Sequence, residues 1–222
     1  MISKNIAMIP ARLGSQRLKK KNLEKFGELT LIEHAIDRCL RANSFDEIYV
    51  NSESEVFQKF AEQCGVNFYH RPPILGGNDA TSEEFVEDFL NNVQCVSLYQ
   101  IHSITPLLDA QQIRDFVIFS ESNKHYNTVL SCVNDQIEVA YQGHPVNFTF
   151  KSKTNSQDLS PTQRITWAAT KWDRETYLLA KQTDGVGTYS GNIGLFPVGA
   201  YSGLAIKTIE DLKIANALRE LT

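Results

Sequence analysis

Residues 6–23 read IAMIPARLGSQRLKKKNL, and the fold class follows from this stretch. Its opening, Ile6 to Ile9, is a continuous apolar run with the length and composition of a buried strand. Pro10 has no N–H to give a sheet ladder, so the strand is expected to end there. A flexible Gly14, the Ser15 hydroxyl and five cations follow: Arg12, Arg17, Lys19, Lys20 and Lys21. A buried strand that opens into such a loop places N–H groups and positive charge at the carboxyl edge of a sheet, where open α/β folds bind ligands. A polyphosphate is the anion that suits it; a solvated basic loop is the plainer reading of the same letters. Neither G-x-x-x-x-G-K-[ST] nor G-x-G-x-x-G occurs, which argues against a P-loop and against a dinucleotide-binding turn.

Working outward, helix signals alternate with short apolar runs. Capping pairs at Thr30/Glu33, Ser52/Glu55 and Thr81/Glu84 predict three helix starts. The faces behind them are Leu31, Ile32, Ala35, Ile36, Cys39 and Leu40, then Val56, Phe57, Phe60 and Ala61, then Phe85, Val86, Phe89 and Leu90. Asp109 is expected to cap a fourth helix, and Thr208 a last one burying Ile209, Leu212, Ala215 and Leu218. Runs at 48–50, 66–69, 96–101, 128–133 and 193–197 read as strands. The expected fold is therefore α/β, a mostly parallel sheet covered by helices on both faces.

The rhythm changes after Asn134. Segments 137–142 and 146–150 flank Gly143-His144-Pro145 and read as a hairpin, while 151–164 is polar without a periodic core. A short helix is expected over 172–181 and a loop over 185–191. Residues 1–222 are expected to form a single α/β domain with a dimerisation arm at about 135–165, because Ile137, Val139, Tyr141 and Phe148 need cover that so thin an excursion does not supply.

The formal net charge is −4, so the basic loop stands against an acidic background; general nucleic-acid binding is not expected. Cys39, Cys64, Cys95 and Cys132 are far apart and form no C-x-x-C pair, which favours buried free thiols over a zinc or redox site. The start, MISKNIAM, is too short and polar for a signal peptide, and no apolar run is long enough to span a membrane. A cytoplasmic location is expected.

The run Ile9-Pro10-Ala11-Arg12-Leu13-Gly14-Ser15, with Lys21-Asn22 behind it, resembles the signature of the CMP-sialic acid synthetases (acylneuraminate cytidylyltransferases) and of relatives that activate other acidic sugars with CMP. The resemblance continues through Arg71-Pro72 with Asp79 and Ser82, through Gln157-Asp158-Leu159 and Arg164, and into Glu210-Asp211-Leu212. It implies the fold of the nucleotide-diphospho-sugar transferases and a nucleotide site at Arg12, Ser15, Lys21, Asn22, Arg71 and Ser82. Arg12 and Lys21 would carry the catalytic electrostatics, since attack on an α-phosphate spreads negative charge that cations must meet. Arg17 and Lys19 are not separated by spacing from ordinary surface charge. An ordinary salt bridge is the alternative for Arg71, a helix-end hydroxyl for Ser82. Arg164 would face the sugar, its planar fork suiting a carboxylate; a contact to a neighbouring subunit is the other reading.

Three departures from the family pattern stand out. The family's L-Q-P-T-S-P-L segment becomes Ile101-His102-Ser103-Ile104-Thr105-Pro106-Leu107, which puts His102 where a sugar-facing Gln is usual. Its Asn-Gly pair becomes Thr166-Trp167. The D-x-D that closes its last strand and holds Mg²⁺ becomes Ala205-Ile206-Lys207. Mg²⁺ needs hard oxygen ligands; alanine offers none and lysine repels it. Mg²⁺ is thus the cofactor the family implies, while no metal ligand is assigned here. Lys207 standing in for the ion, recruitment by another acid such as Asp211, or loss of efficient transfer all remain open.

The expected function is transfer of a cytidylyl group from CTP to a sialic-acid-type α-keto sugar by a homodimer. The alternatives are an octulosonate- or pseudaminate-activating enzyme and a non-catalytic nucleotide-binding homologue.

Overall fold

The computed structural model describes residues 4–15 and 17–220. Gln16 of the first loop and residues 1–3, part of the stretch read for a signal peptide, lie outside the described residues, as do 221–222. In chain order the strands are β1 (Asn5–Pro10), β2 (Lys25–Phe26), β3 (Leu29–Thr30), β4 (Glu47–Ser52), β5 (Asn67–His70) and β6 (Ser97–Ile101). They continue with β7 (Thr128–Asp135), β8 (Ala140–Tyr141), β9 (His144–Pro145), β10 (Thr162–Asp173) and β11 (Ile193–Pro197). The α-helices between and after them are α1 (Leu31–Ala42), α2 (Val56–Gln63), α3 (Ser82–Asn92), α4 (Ala110–Ser122), α5 (Arg174–Asp184) and α6 (Ile209–Arg219).

A seven-stranded sheet runs in the order β11-β7-β10-β6-β1-β4-β5. Every pairing is parallel except those of β10, which lies antiparallel between β6 and β7. Strand β1 pairs with β4 on one side and β6 on the other, so its carboxyl end is a point where the strand order reverses. The loop read first in the sequence leaves from there. Side chains of β1 alternate between two cores: Ala7 and Ile9 pack with Ile32, Ile36, Phe57 and Phe116, while Ile6 and Met8 pack with Val86, Phe89, Trp172 and Tyr177. Each fully buried side chain of this size contributes about 1.5–3 kcal/mol. A third, smaller cluster joins Phe26, Leu31, Ile206, Leu212 and Ala215, and it fixes α6 beside the first loop.

Four helices start in reciprocal capping boxes, at Thr30/Glu33, Thr81/Glu84, Asp109/Gln112 and Thr208/Asp211. The expected Ser52/Glu55 box does not form. Ser52 is still paired with His70 in the ladder, its hydroxyl accepts from the Ser54 N–H at 3.1 Å, and α2 begins only at Val56. Val56 and Ile209 are exposed rather than buried.

Strand β10 takes only the last three residues of the polar stretch 151–164 and runs to Asp173, so the helix expected over 172–181 begins later, as α5 at Arg174. The pairing of β10 with β7 shifts between Ile165 and Thr170, and Trp167 inside this bulge takes φ +60°, a left-handed conformation. That interruption breaks the alternation by which a strand is recognised. In the hairpin the turn falls on Gln142-Gly143, both at positive φ, and His144-Pro145 forms the return strand instead of the turn. Ile137, Tyr141, Val146 and Phe150 of this excursion are exposed.

Candidate functional site

The root of the first loop is held by buried polar side chains. The Ala11 N–H donates to the Asn51 carbonyl at 2.9 Å, and the Leu13 N–H to the Glu53 carboxylate at 2.9 Å. Asn22, 5 % exposed, donates to the Arg12 carbonyl at 3.0 Å and accepts from the Ser103 hydroxyl at 2.7 Å. Arg71, 3 % exposed, reaches the Ala11 carbonyl at 3.0 Å, Asn51 at 3.3 Å and Glu53 at 2.8 Å, with its guanidinium 5.0 Å from the Phe85 ring centre. Two residues read as nucleotide contacts, Asn22 and Arg71, are thus engaged within the protein, and both fix the path of the loop. For Arg71 the salt bridge weighed from sequence is present.

The loop's other candidates are half-buried. Arg12 donates to the Gly77 carbonyl at 3.3 Å, and Ser15 is half-buried beside it in the chain. Lys21 is half-buried. Burial first, then the positive charges of Arg17 and Arg12 and more weakly Lys207, lower its ammonium from 10.5 to about 8, with Asp211 opposing them. Arg17, left open from spacing, therefore belongs to this cationic group.

Two cavities are bordered by the segment that follows β6. The larger, about 840 Å³, is lined by His102, Thr105, Arg164, Trp167, Lys207 and Asp211 among others. The second, about 510 Å³, is lined by Ser82, Gln100, His102, Trp167, Trp172 and Tyr189 among others. His102 and Trp167 border both. Burial, and next the Lys21 charge, press the His102 imidazole down to about 4, so it is neutral at pH 7. Its Nε2 lies 2.7 Å from the Gln100 amide nitrogen and, being unprotonated, accepts from it. The Gln100 amide oxygen is buried without a hydrogen-bond partner among the described residues. Gln100 went unnoticed in the sequence, although it shares the His102 face of β6 at a spacing of two.

Arg164 lines the larger cavity but is paired with Asp135, its Nε at 2.7 Å and a terminal nitrogen at 3.3 Å from the two carboxylate oxygens. Trp167 packs edge-on against Tyr189, ring centres 5.9 Å apart. Ser82 is the first residue of α3 and exposed, with Thr81 performing the cap.

A magnesium site does not fit the residues present. Ala205 and Lys207 line the larger cavity in the loop after β11, not at the end of a strand as expected, because the last strand finishes at Pro197. One Asp211 oxygen accepts from the Lys207 and Thr208 N–H groups, each at 2.8 Å, as part of the α6 cap. Among the described residues no group of three or more His, Cys, Asp or Glu is placed to hold a metal ion.

A mostly parallel sheet with a cationic loop at its switch point, and cavities bordered by the segment after the neighbouring strand β6, has the layout of a nucleotide-handling α/β protein. The chain belongs to the cytidylyltransferase family, whose sequence model matches residues 6–196. It is 28% identical over 194 residues to the N-acylneuraminate cytidylyltransferase of Streptococcus agalactiae serotype V, covering 80% of this chain and 45% of that protein. It is 29% identical over 127 residues to the 3-deoxy-manno-octulosonate cytidylyltransferase of Rickettsia canadensis, covering 57% of this chain and 51% of the relative. The chain thus spans about half the length of these curated relatives. A solved CMP:2-keto-3-deoxy-manno-octonic acid synthetase in complex with CTP has the same fold, with a TM-score of 0.72, 15% identity and 99% of both chains covered. Among the described residues no helix is long and apolar enough to cross a membrane.

Proposed function

We propose that this chain transfers the cytidylyl group of CTP to the anomeric hydroxyl of an acidic α-keto sugar of the sialic acid type. The observation that carries the reading is that Lys21, grouped with Arg12 and Arg17, lies near His102 and Lys207, which line one cavity together with Arg164. The sugar oxygen attacks the α-phosphorus, the bond to the bridging β-phosphate oxygen breaks, pyrophosphate departs, and the hydroxyl proton passes to water. Arg12 and Lys21 stabilise the charge that develops on the phosphates, an effect worth roughly 3–4 kcal/mol for a well-placed group. Ser15 and Ser82 contact the nucleotide, and Asn22 and Arg71 act on it by holding the loop. His102, neutral and weakly basic, hydrogen-bonds the sugar. Arg164 exchanges Asp135 for the sugar carboxylate. The family's Mg²⁺-binding Asp pair is replaced in this reading by Ala205 and Lys207, so no step runs through a metal.

The exposed arm residues Ile137, Tyr141, Val146 and Phe150 support a homodimer covering them. A CTP-consuming reaction of this kind belongs in the cytoplasm. The relative acting on an octulosonate favours a second acceptor of that type, with a pseudaminate-like acid as a third. The missing carboxylate pair favours a binding-only homologue as the competing class. Pyrophosphate release from CTP with a panel of acidic sugars tests the reading. Release with any of them supports transfer and names the acceptor; CTP binding without release from any of them overturns transfer in favour of the homologue.

A further inference from the structure

The cationic group beside the larger cavity contains one member that neither the first loop nor the family pattern supplies. Lys207 arrives from the loop after β11, held there because the Ile206 N–H donates to the Ile104 carbonyl at 2.7 Å and the Ile206 side chain is fully buried. Leu18, between Arg17 and Lys19, packs on the same apolar cluster as Ile206, so Lys207 stands beside the loop, and its charge adds weakly to the lowering of the Lys21 ammonium. The nearest acid, Asp211, turns one oxygen to backbone N–H groups. Among the described residues none of Arg12, Arg17, Lys21 and Lys207 enters an ion pair. A protein of net charge −4 has acids to spare for pairing these cations, yet leaves them together, Arg12 and Lys21 half-buried, Arg17 and Lys207 exposed, with Lys207 lining the larger cavity. Like charges gathered in this way destabilise the free protein and are relieved by an anion of several charges.

We propose that Lys207 completes, with Arg12, Arg17 and Lys21, a polyphosphate site that works without a divalent metal ion. The proposal rests on reading the first loop as the triphosphate site, and extends that reading by assigning to a lysine the charge that Mg²⁺ supplies elsewhere in the family. A lysine neutralises a phosphate oxygen as a point charge and does not template two oxygens as a divalent ion does. Binding therefore survives removal of metal. Magnesium in solution competes with the four cations for the same phosphate oxygens, so adding it leaves affinity unchanged or weakens it.

The test is calorimetric titration of the whole protein with CTP and, separately, with inorganic tripolyphosphate, in EDTA and in excess Mg²⁺. Both ligands are expected to bind in EDTA, with Mg²⁺ tightening neither by more than about threefold. Lys207→Ala is expected to weaken both by about tenfold, and Lys207→Arg, which keeps the charge, by less than about threefold. Lys207 lies on the surface, and melting curves of the two variants establish that they are folded. Binding that requires Mg²⁺, or an Lys207→Ala variant that binds as tightly as the unaltered chain, overturns the proposal. Tripolyphosphate binding in EDTA with CTP no tighter sustains this site while removing the nucleotide specificity on which the proposed function depends. CTP binding that needs the metal does the reverse.

Discussion

The Ser103 hydroxyl donates to the Asn22 side-chain oxygen at 2.7 Å, joining the loop after β1 to the loop after β6 across 81 positions of sequence. The same Asn22 holds the Arg12 carbonyl, so a single buried amide sets the spacing between the first loop and the His102 segment. Asn22→Ala removes both bonds and strands the Arg12 carbonyl and Ser103 hydroxyl. A loss of about 1–3 kcal/mol for each buried group left unpaired is expected. Urea unfolding measures it, and nucleotide affinity should fall with it.

Glu53 anchors the other side of the loop, accepting from the Leu13 N–H and from Arg71. Glu53→Ala leaves the Arg71 charge buried with only neutral acceptors. Breaking a buried pair from one side costs about 3–5 kcal/mol. The expected result is a lower melting temperature, with a larger drop than for Lys153→Ala, whose partner Glu138 sits on the surface. Equal drops would mean that the loop root is looser than the structure has it.

Phosphate binding should depend on pH through Lys21. Its ammonium titrates near 8 in the free protein, below its ordinary 10.5, because burial and the charges of Arg17, Arg12 and Lys207 outweigh Asp211. Above pH 8 the folded chain has released this proton while the unfolded chain keeps it until near 10.5, so this group's contribution to folding stability rises with pH across that window. Affinity runs the other way, falling as the charge disappears. Tripolyphosphate titrations between pH 7 and pH 9.5, roughly, should show the decline, and Lys21→Arg should flatten it because a guanidinium stays charged throughout.

The arm is expected to pair two copies of the chain. Tyr141→Ser with Phe150→Ser removes two of its exposed apolar side chains, 68% and 72% accessible, without touching the cores. Light scattering should report a dimer for the unaltered protein at micromolar concentration and a monomer for the variant. A monomer in both cases would remove the arm's assigned role.

The parts of the fold legible from sequence were those with local physical causes. Strand β1 announced itself by an apolar run stopped at Pro10, and Thr30, Thr81, Asp109 and Thr208 marked helix starts through bonds made within three residues. Strand β10 was illegible because its bulge breaks the period of two and its amino-terminal half is largely solvated. Ser52 misled because the ladder partner that keeps it extended, His70, lies far along the chain. In the site, residue types were readable and partners were not. Nothing near Arg71 in sequence shows that Glu53 and Ala11 claim it, whereas Gln100 was available to anyone counting back two from His102.

Trp167 occupies the position where the related signature carries glycine, and its backbone explains the glycine: φ is +60°. A side chain there costs about 1–2 kcal/mol that glycine would not. The indole is thus held against a standing conformational penalty, packed beside Tyr189 where it borders both cavities. Relaxing this one residue to glycine trades the Tyr189 contact for backbone ease, and widens the space at the border the two cavities share.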